Sequence, residues 1–384
     1  MILEFGAKNF YSFKEGFEVS LRLGEGCPKT ISKGNFYTNI MAIKGANASG
    51  KTNVLKVLSF LCDFVKNSFN QNPDSKIPFH SFFDNSQPSE FYIVFLENNI
   101  EYRYELKLTV DRILSEIIYR KEKRESKIIE RKKNKIISKL KEFKDLEIMK
   151  LRDNVSLVST ANQYGVESTK LIYTLFSKIG INVDDLGRKD DYIDYKSVTQ
   201  FYFENQSIFD FVKKVLVLSD TGINTITIEK QTHKETGKEE YFPLFNYNIL
   251  DEEGHNLTFQ YQSSGVKALY LQLGLYKIIL DMGGTLVLDE FDINLHSDLL
   301  PMLINFFDDE EKNPNNAQLI FTTHHTDIMD KLGKYRVVLV NKDKNESFLY
   351  RLDEIQGDML RNDRSIVQKY KEGKIGGKPR LNYG

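Results

Sequence analysis

Residues 40–65 read IMAIKGANASGKTNVLKVLSFLCDFV, and this stretch decides the fold. Ile40–Ile43 is a short apolar run of the kind that makes a buried strand. Gly45–Thr52 then matches G-x-x-x-x-G-K-[ST]. Beyond it Val54, Leu55, Val57, Leu58, Leu61 and Val65 keep one face apolar at helical spacing. Strand, glycine loop and helix in this order make a phosphate-binding turn. Gly45 and Gly50 let the backbone N–H groups point inward at phosphates, Lys51 reaches the β- and γ-phosphates, and the Thr52 hydroxyl ligates Mg²⁺. Asn47, Ser49 and Asn53 complete the binding set. The bland alternative is a glycine-rich turn with an incidental lysine, and it leaves the flanking strand and helix to chance. The prediction is an α/β chain that binds ATP with Mg²⁺.

Three further segments fit that chemistry. Thr285–Glu290, TLVLDE, is an apolar strand ending in two carboxylates. Asp289 is placed to hold Mg²⁺ through its water shell, and Glu290 to act as general base on a water attacking the γ-phosphate. Residues 319–327, LIFTTHHTD, make another apolar strand with His324 just past its end, where it can sense the γ-phosphate; His325 is the weaker candidate. Ser263, Ser264 and Gly265 open a helix whose buried stripe is Val266, Leu269, Tyr270, Leu273, Tyr276 and Leu280. Small residues opening a helix suggest an anion site on unpaired first-turn N–H groups, although standing alone such a segment is most often a plain N-cap.

Composition sets outer limits. With 41% apolar and 28% charged residues the 384-residue chain is ordinary globular material, enough for one large core or two modest domains. No apolar run is long enough to span a bilayer, and the N-terminus lacks the pattern of a secretory signal. Cys27 and Cys62 are far apart and have no histidine companions, which predicts inert, reduced thiols and a cytoplasmic protein. The net charge of −1 hides an uneven spread: residues 120–152 carry fourteen Lys/Arg and six Asp/Glu.

Organisation follows the motifs. Residues 1–115 hold two N-terminal strands, the phosphate loop and a hairpin over EFYIVFLENNIEYRYELKLTV that turns at Glu97–Asn99. Residues 116–245 are expected to form a basic, mainly helical insert or lid, helical over 116–150, with β-rich runs at INTITIEK and PLFNYNIL. Residues 246–384 hold the remaining motifs, with TLVLDE and QLIFTT as parallel strands joined by a crossover, then a hairpin and a basic tail.

The order of phosphate loop, small-residue helix start, Asp-Glu strand and strand-terminal histidine resembles the ABC-type ATPases of the SMC, RecF and OLD group. More narrowly, the chain resembles RloA-like prokaryotic ATPases, which are often found beside phage-defence genes. NFYSFKE, GANASGKTN, IIERKKN, SDTGINTI, SSGVKALYL, VLDEFDINLHSDLL, NAQLIFTTHHTDIMD and DRSIVQKYKEGKIGGKPRL carry this match, together with the 90–106 hairpin. The resemblance implies an ABC-type P-loop ATPase head of mixed sheets and helices. It makes Lys51 and Thr52 the Walker A pair, Asp289 and Glu290 the Walker B pair, and His324 the switch histidine. Ser263–Lys267 becomes the signature, reading SSGVK where transporters have LSGGQ, and 293–298, INLHSD, the loop that contacts the second subunit. Gln163 in STANQYG falls where a Q-loop glutamine could lie, though a solvated loop glutamine reads the same.

The resemblance further implies a homodimer or higher oligomer sandwiching two ATP molecules, each between Gly45–Thr52 of one copy and Ser263–Gly265 of the other. The segment after His324 is too short for a nuclease domain of about 100 residues. The expectation is therefore an ATPase that acts as the sensor or regulatory subunit of an anti-phage system and controls a separately encoded nuclease- or toxin-like effector. The alternative is a stand-alone DNA-binding repair ATPase using the basic residues of 120–152 on nucleic acid. A solvated basic arm remains the plain reading of the same residues.

Overall fold

The computed structural model describes residues 1–189, 194–233, 237–249, 252–361 and 364–378; Asp363 and the end of the tail motif, 379–381, lie outside the described residues. From the N-terminus come β1 (Ile2–Lys8), β2 (Phe17–Ser20), α1 (Lys29–Ser32), β3 (Ile40–Gly45), α2 (Lys51–Asn67), β4 (Ser89–Glu97), β5 (Ile100–Leu108), β6 (Ile113–Lys121), β7 (Glu125–Lys132) and β8 (Lys135–Lys139). Then follow α3 (Leu157–Gln163), α4 (Lys170–Ser177), β9 (Ile179–Ile181), α5 (Tyr195–Glu204), α6 (Gln206–Leu218), β10 (Thr225–Thr232), β11 (Glu239–Ile249), β12 (Glu252–Thr258) and α7 (Ser264–Met282). The C-terminal part holds β13 (Thr285–Leu288), α8 (Leu299–Asp308), β14 (Gln318–Thr322), α9 (Ile328–Leu332), β15 (Val337–Asp343), β16 (Glu346–Arg351) and α10 (Ile366–Lys371). Two compact units result. One comprises Met1–Lys189, Gly283–Phe291 and Phe307–Gly384, the other Asp190–Met282 and Asp292–Phe306.

The first unit contains a sheet of order β16-β15-β3-β14-β13-β9. The five strands from β15 to β9 are parallel and only β16 runs the other way. β3, β13 and β14 are buried along their whole length, which is why they read as unbroken apolar runs rather than alternating ones. The parallel pairing expected for TLVLDE and QLIFTT is present, with Val287 opposite Ile320. Because β3, β13 and β14 run in one direction, the residues after Gly45, Leu288 and Thr322 emerge along a single carboxyl edge. That edge is where open α/β sheets hold their ligands. The expected fold class, α/β with mixed sheets and helices, is the one found.

The second sheet of this unit is an antiparallel meander of order β2-β1-β4-β5-β6-β7-β8. Asn98 and Asn99, both with positive φ, make the two-residue turn of the β4–β5 hairpin. Here the expectation of helix over 116–150 fails: β6, β7 and β8 occupy 113–139, and only a 3₁₀ stretch, Lys141–Ile148, is helical. Lysine and glutamate favour helix in isolation. The deciding features were ILSEIIYRK and KIIERK, where apolar and polar residues alternate, and Lys133-Asn134, a tight turn with Lys133 at φ 52°. The domain division differs as well, since residues 116–189 belong to the first unit instead of opening an insert.

A buried ion pair ties the meander to α3. Arg131 and Glu116 are both essentially inaccessible, with Arg131 Nη1 donating to Glu116 Oε2 at 3.0 Å and to the Val155 carbonyl at 2.6 Å. Glu116 also accepts from Tyr104 Oη, Ser156 Oγ and the Leu157 N–H. The carboxylate therefore sits at the N-terminus of α3, where unpaired N–H groups favour negative charge.

In the second unit β10, β11 and β12 form a three-stranded antiparallel sheet, and α5, α6 and α7 accompany it. The stripe predicted for α7 is buried at each of its six positions. Gly274, inside that helix, leaves room for Tyr202, whose ring lies 2.6 Å from where a Cβ would stand. The Tyr202 hydroxyl donates to the Tyr270 carbonyl at 2.6 Å and accepts from the Gly274 N–H at 3.1 Å. Among the described residues no helix is long and apolar enough to cross a membrane.

Candidate functional site

The loop between β3 and α2 is shaped by its two glycines. At Gly45 a Cβ would stand 2.4 Å from the Val340 carbonyl oxygen. Gly50 has φ 108°, and a Cβ there would meet Ser12 Oγ and Ser347 Oγ at 2.8 Å each. Those two hydroxyls are 2.7 Å apart, Ser347 Oγ lies 2.6 Å from the Ser49 carbonyl, and Asn53 Nδ2 donates to Ser12 Oγ at 2.9 Å. Ser12 and Ser347 thus buttress the loop from outside; sequence reasoning passed them over, although Ser12 lies within NFYSFKE. Inside the loop Lys51 Nζ donates to the carbonyls of Gly45 and Ala46 at 3.1 and 3.0 Å. Ser49 is buried, and among the described residues its Oγ has no hydrogen-bond partner. Asn47 and Ala48 are exposed.

Thr52, in the first turn of α2, donates its hydroxyl to Asp289 Oδ2 at 2.7 Å, 237 residues along the chain. The two candidate Mg²⁺ ligands are therefore adjacent, and both offer oxygen, the donor a small hard cation takes when phosphate and water fill its other positions. Asp289 is buried and held on each side. Thr322 Oγ1 donates to its Oδ1 at 2.5 Å, Asn182 Oδ1 accepts from its backbone N–H at 2.7 Å, and Asn182 Nδ2 donates to its carbonyl at 3.2 Å. Glu290 takes a left-handed backbone conformation, φ 49°, and its N–H donates to Thr322 Oγ1 at 2.7 Å. Its carboxylate accepts from Arg188 Nη1 at 3.0 Å. His324 follows β14 with an exposed side chain, and its carbonyl accepts from Lys44 Nζ at 2.6 Å. Four sequence-derived positions, Lys51, Thr52, Asp289 and Glu290, are thus gathered with the end of β14 at one carboxyl edge.

Gln163 is not among them. It is the exposed last residue of α3, and α3 is mounted on the far end of α2, where Ser159 Oγ donates to the Lys66 carbonyl at 3.2 Å. Lys51 and Lys66 are roughly 22 Å apart along the helix axis. The strand that pairs with β13 is β9, so the polar side chain leaving the edge beside Asp289 is Asn182. Three residues of β9 gave too short a run to recognise. Thr322 and Arg188 were equally out of reach, because their roles depend on strand register and a side-chain contact across 102 residues.

In the second unit the start of α7 brings two expected elements together. Ser263 Oγ accepts from the Val266 N–H at 3.3 Å, so it does cap the helix. A Cβ on Gly265 would lie 3.0 Å from the carbonyl of Asn294, within INLHSD. Ser263 and Ser264 are both exposed.

Around the site, burial shapes the titrating groups. Lys56, one turn after Thr52, has its pKa lowered by burial, opposed by Asp185, Asp184 and Asp289. Tyr11 is pushed up to about 12, first by burial and then by Asp185, Asp184 and Asp84. Burial likewise raises the Cys62 thiol to about 12 and the Cys27 thiol by less, in keeping with inert thiols.

Residues 40–330 match the family described as "AAA domain, putative AbiEii toxin, Type IV TA system". Among solved structures, the SMC head domain from Thermotoga maritima is 15% identical, with 91% of this chain and 98% of that chain covered and a TM-score of 0.44. The Smc head domain from Pyrococcus furiosus, bound to the C-terminal domain of ScpA, is 12% identical at 92% and 97% coverage, TM-score 0.48. That from Pyrococcus yayanosii is 11% identical at 92% and 99%, TM-score 0.44. No curated protein sequence matches.

Proposed function

We propose, for a chain that belongs to the AAA domain family of AbiEii type, that it is a Mg²⁺-dependent ATPase of ABC type governing a separately encoded effector in phage defence. One observation carries the ATPase reading. The phosphate loop, the Thr52–Asp289 pair and Glu290 are gathered by three parallel strands onto one carboxyl edge.

The residues divide the work as follows. Loop N–H groups and Lys51 bind the phosphates, Lys51 exchanging the Gly45 and Ala46 carbonyls for phosphate oxygens. Thr52 and Asp289 would hold Mg²⁺, which would supply charge neutralisation on the phosphates. Glu290 takes a proton from the attacking water, and His324 contacts the γ-phosphate from the end of β14. Ser263–Gly265 of a second copy closes over the nucleotide. Two features support this: α7 presents the exposed hydroxyls of Ser263 and Ser264, and INLHSD lies beside Gly265. ATP then acts as a conformational switch as much as a fuel.

The role in defence is supported by the toxin–antitoxin term in the family's description and by the resemblance to RloA-like ATPases. The DNA-repair reading has less support. Arg131 is buried, and Arg120, Lys121, Lys127 and Lys139 are each paired with a glutamate. Exposed Lys132, 3.5 Å from Glu130, lies with exposed Lys133 and Lys135 at the β7–β8 turn, and Lys123 and Arg124 are exposed between β6 and β7. The test is steady-state ATP turnover with sizing chromatography. Lys51→Ala is expected to abolish turnover and Glu290→Gln to trap an ATP-bound dimer. Wild-type turnover in either variant refutes the site. Co-purification with products of adjacent genes tests the effector. DNA-stimulated hydrolysis lost on neutralising the three lysines would favour repair instead.

A further inference from the structure

Residues 182–189 form a tight hairpin after β9. Val183 and Arg188 make an antiparallel bridge, the Lys189 N–H donates to the Asn182 carbonyl at 2.8 Å, and Asp184 Oδ1 accepts from the Leu186 N–H at 2.9 Å. One side of this hairpin is fastened to the helix that follows the phosphate loop. Ser59 Oγ donates to the Val183 carbonyl at 2.6 Å and Lys56 Nζ to the Asp185 carbonyl at 2.7 Å. From the β1–β2 connection Tyr11 Oη donates to the same Asp185 carbonyl at 3.1 Å, beneath the Lys56 ammonium. The opposite side grips the end of β13, through Asn182 on the Asp289 backbone and Arg188 on the Glu290 carboxylate.

We infer that Arg188 is a positioning residue for Glu290, and that the 182–189 hairpin transmits the placement of α2 to the direction in which that carboxylate points. The inference rests on the ATPase reading above. Glu290 needs such a partner: its side chain is 43% exposed, and its rotatable bonds would otherwise leave the carboxylate free to turn. The Arg188 side chain is only 18% exposed, so it is the anchored member of the pair. It engages Oε2, and a guanidinium–carboxylate contact is directional as well as strong. A general base works only when its oxygen is within hydrogen-bond reach of the water it activates, and misplacement by about 1 Å is costly. The hairpin that carries Arg188 is held by its own hydrogen bonds and by bonds from Ser59 and Lys56 of α2 and from Tyr11, the kind of rigid mounting a reactive group requires.

The experiment compares Arg188→Ala, Arg188→Lys and Glu290→Gln, singly and with Arg188→Ala added to Glu290→Gln. Turnover, KM and nucleotide affinity are measured, with a melting curve for each. Arg188→Ala is expected to lower kcat about tenfold while KM and ATP affinity stay at wild-type values. Arg188→Lys should recover part of the loss. In the Glu290→Gln background Arg188→Ala should have no further effect, because the group it positions is gone. Unchanged or raised kcat in Arg188→Ala, or an equal loss in the Glu290→Gln background, overturns the inference. Wild-type turnover of Glu290→Gln alone overturns the underlying assignment instead, so the two failures are distinct. Should Arg188→Ala not fold, Arg188→Gln takes its place, since it keeps a donor and much of the length.

Discussion

Replacing Thr322 by valine is the sharpest test of the site, because it keeps the shape and removes one oxygen. That oxygen donates to Asp289 Oδ1 and accepts from the Glu290 N–H, and the residue is 1% exposed. A hydrogen bond to a charged group contributes about 1.5–3 kcal/mol, and orphaning a buried N–H costs about 1–3 kcal/mol. The two losses share one side chain, so stability should fall by about 3 kcal/mol in urea unfolding. Catalysis should suffer separately. Asp289 would keep Thr52 and Asn182 but lose the bond that fixes its second oxygen, and Glu290 would lose the bond that steadies its left-handed backbone. If half to all of one charged bond is expressed in the transition state, turnover drops about 10- to 100-fold. Thr322→Ser keeps the hydroxyl and should stay near wild type. Thr323→Val, which removes an acceptor for the His325 N–H, is the neighbouring control and should affect turnover far less. The assay is kcat and Mg·ATP affinity beside a denaturation curve. Wild-type kcat in a folded Thr322→Val protein would refute the claim that Thr322 organises the Walker B pair.

Two further outcomes concern stability. Arg131→Met leaves Glu116 buried without its cation and should cost about 3–5 kcal/mol in urea unfolding, whereas Arg131→Met with Glu116→Gln should cost clearly less; equal losses would contradict the coupling. The pKa of Cys62 is raised by burial from 9.0 to about 12, so its contribution is fully present below pH 9 and is lost as pH rises towards 12. Between pH 9 and 10 the tyrosine contribution is common to both proteins, and the wild type should lose more stability than Cys62→Ala; parallel slopes for the two would refute this.

How much of this was legible in the sequence depended on the range of the interaction. The phosphate loop was legible because glycine spacing, the lysine and the flanking periodicities are all local. So was the α7 stripe, which the helical period alone determines. The helix expected over 116–150 gives way to strands as far as 139: its charged residues suit a helix by propensity, whereas sheet pairing with β5 rewards the alternation they interrupt. Gln163 was placed by chain order, and chain order does not reveal which strand pairs with β13.

By itself the sequence determined the chemistry available here: a loop able to bind phosphates, a strand ending in two carboxylates, a histidine after an apolar strand. These are local patterns that a single element can encode. Tertiary structure alone decided which groups flank that chemistry. Thr322, Asn182 and Arg188 reach Asp289 and Glu290 only because β14, β13 and β9 lie side by side in parallel register. Register is a property of paired strands and of no single segment, so residues whose roles depend on it carry no mark of their own.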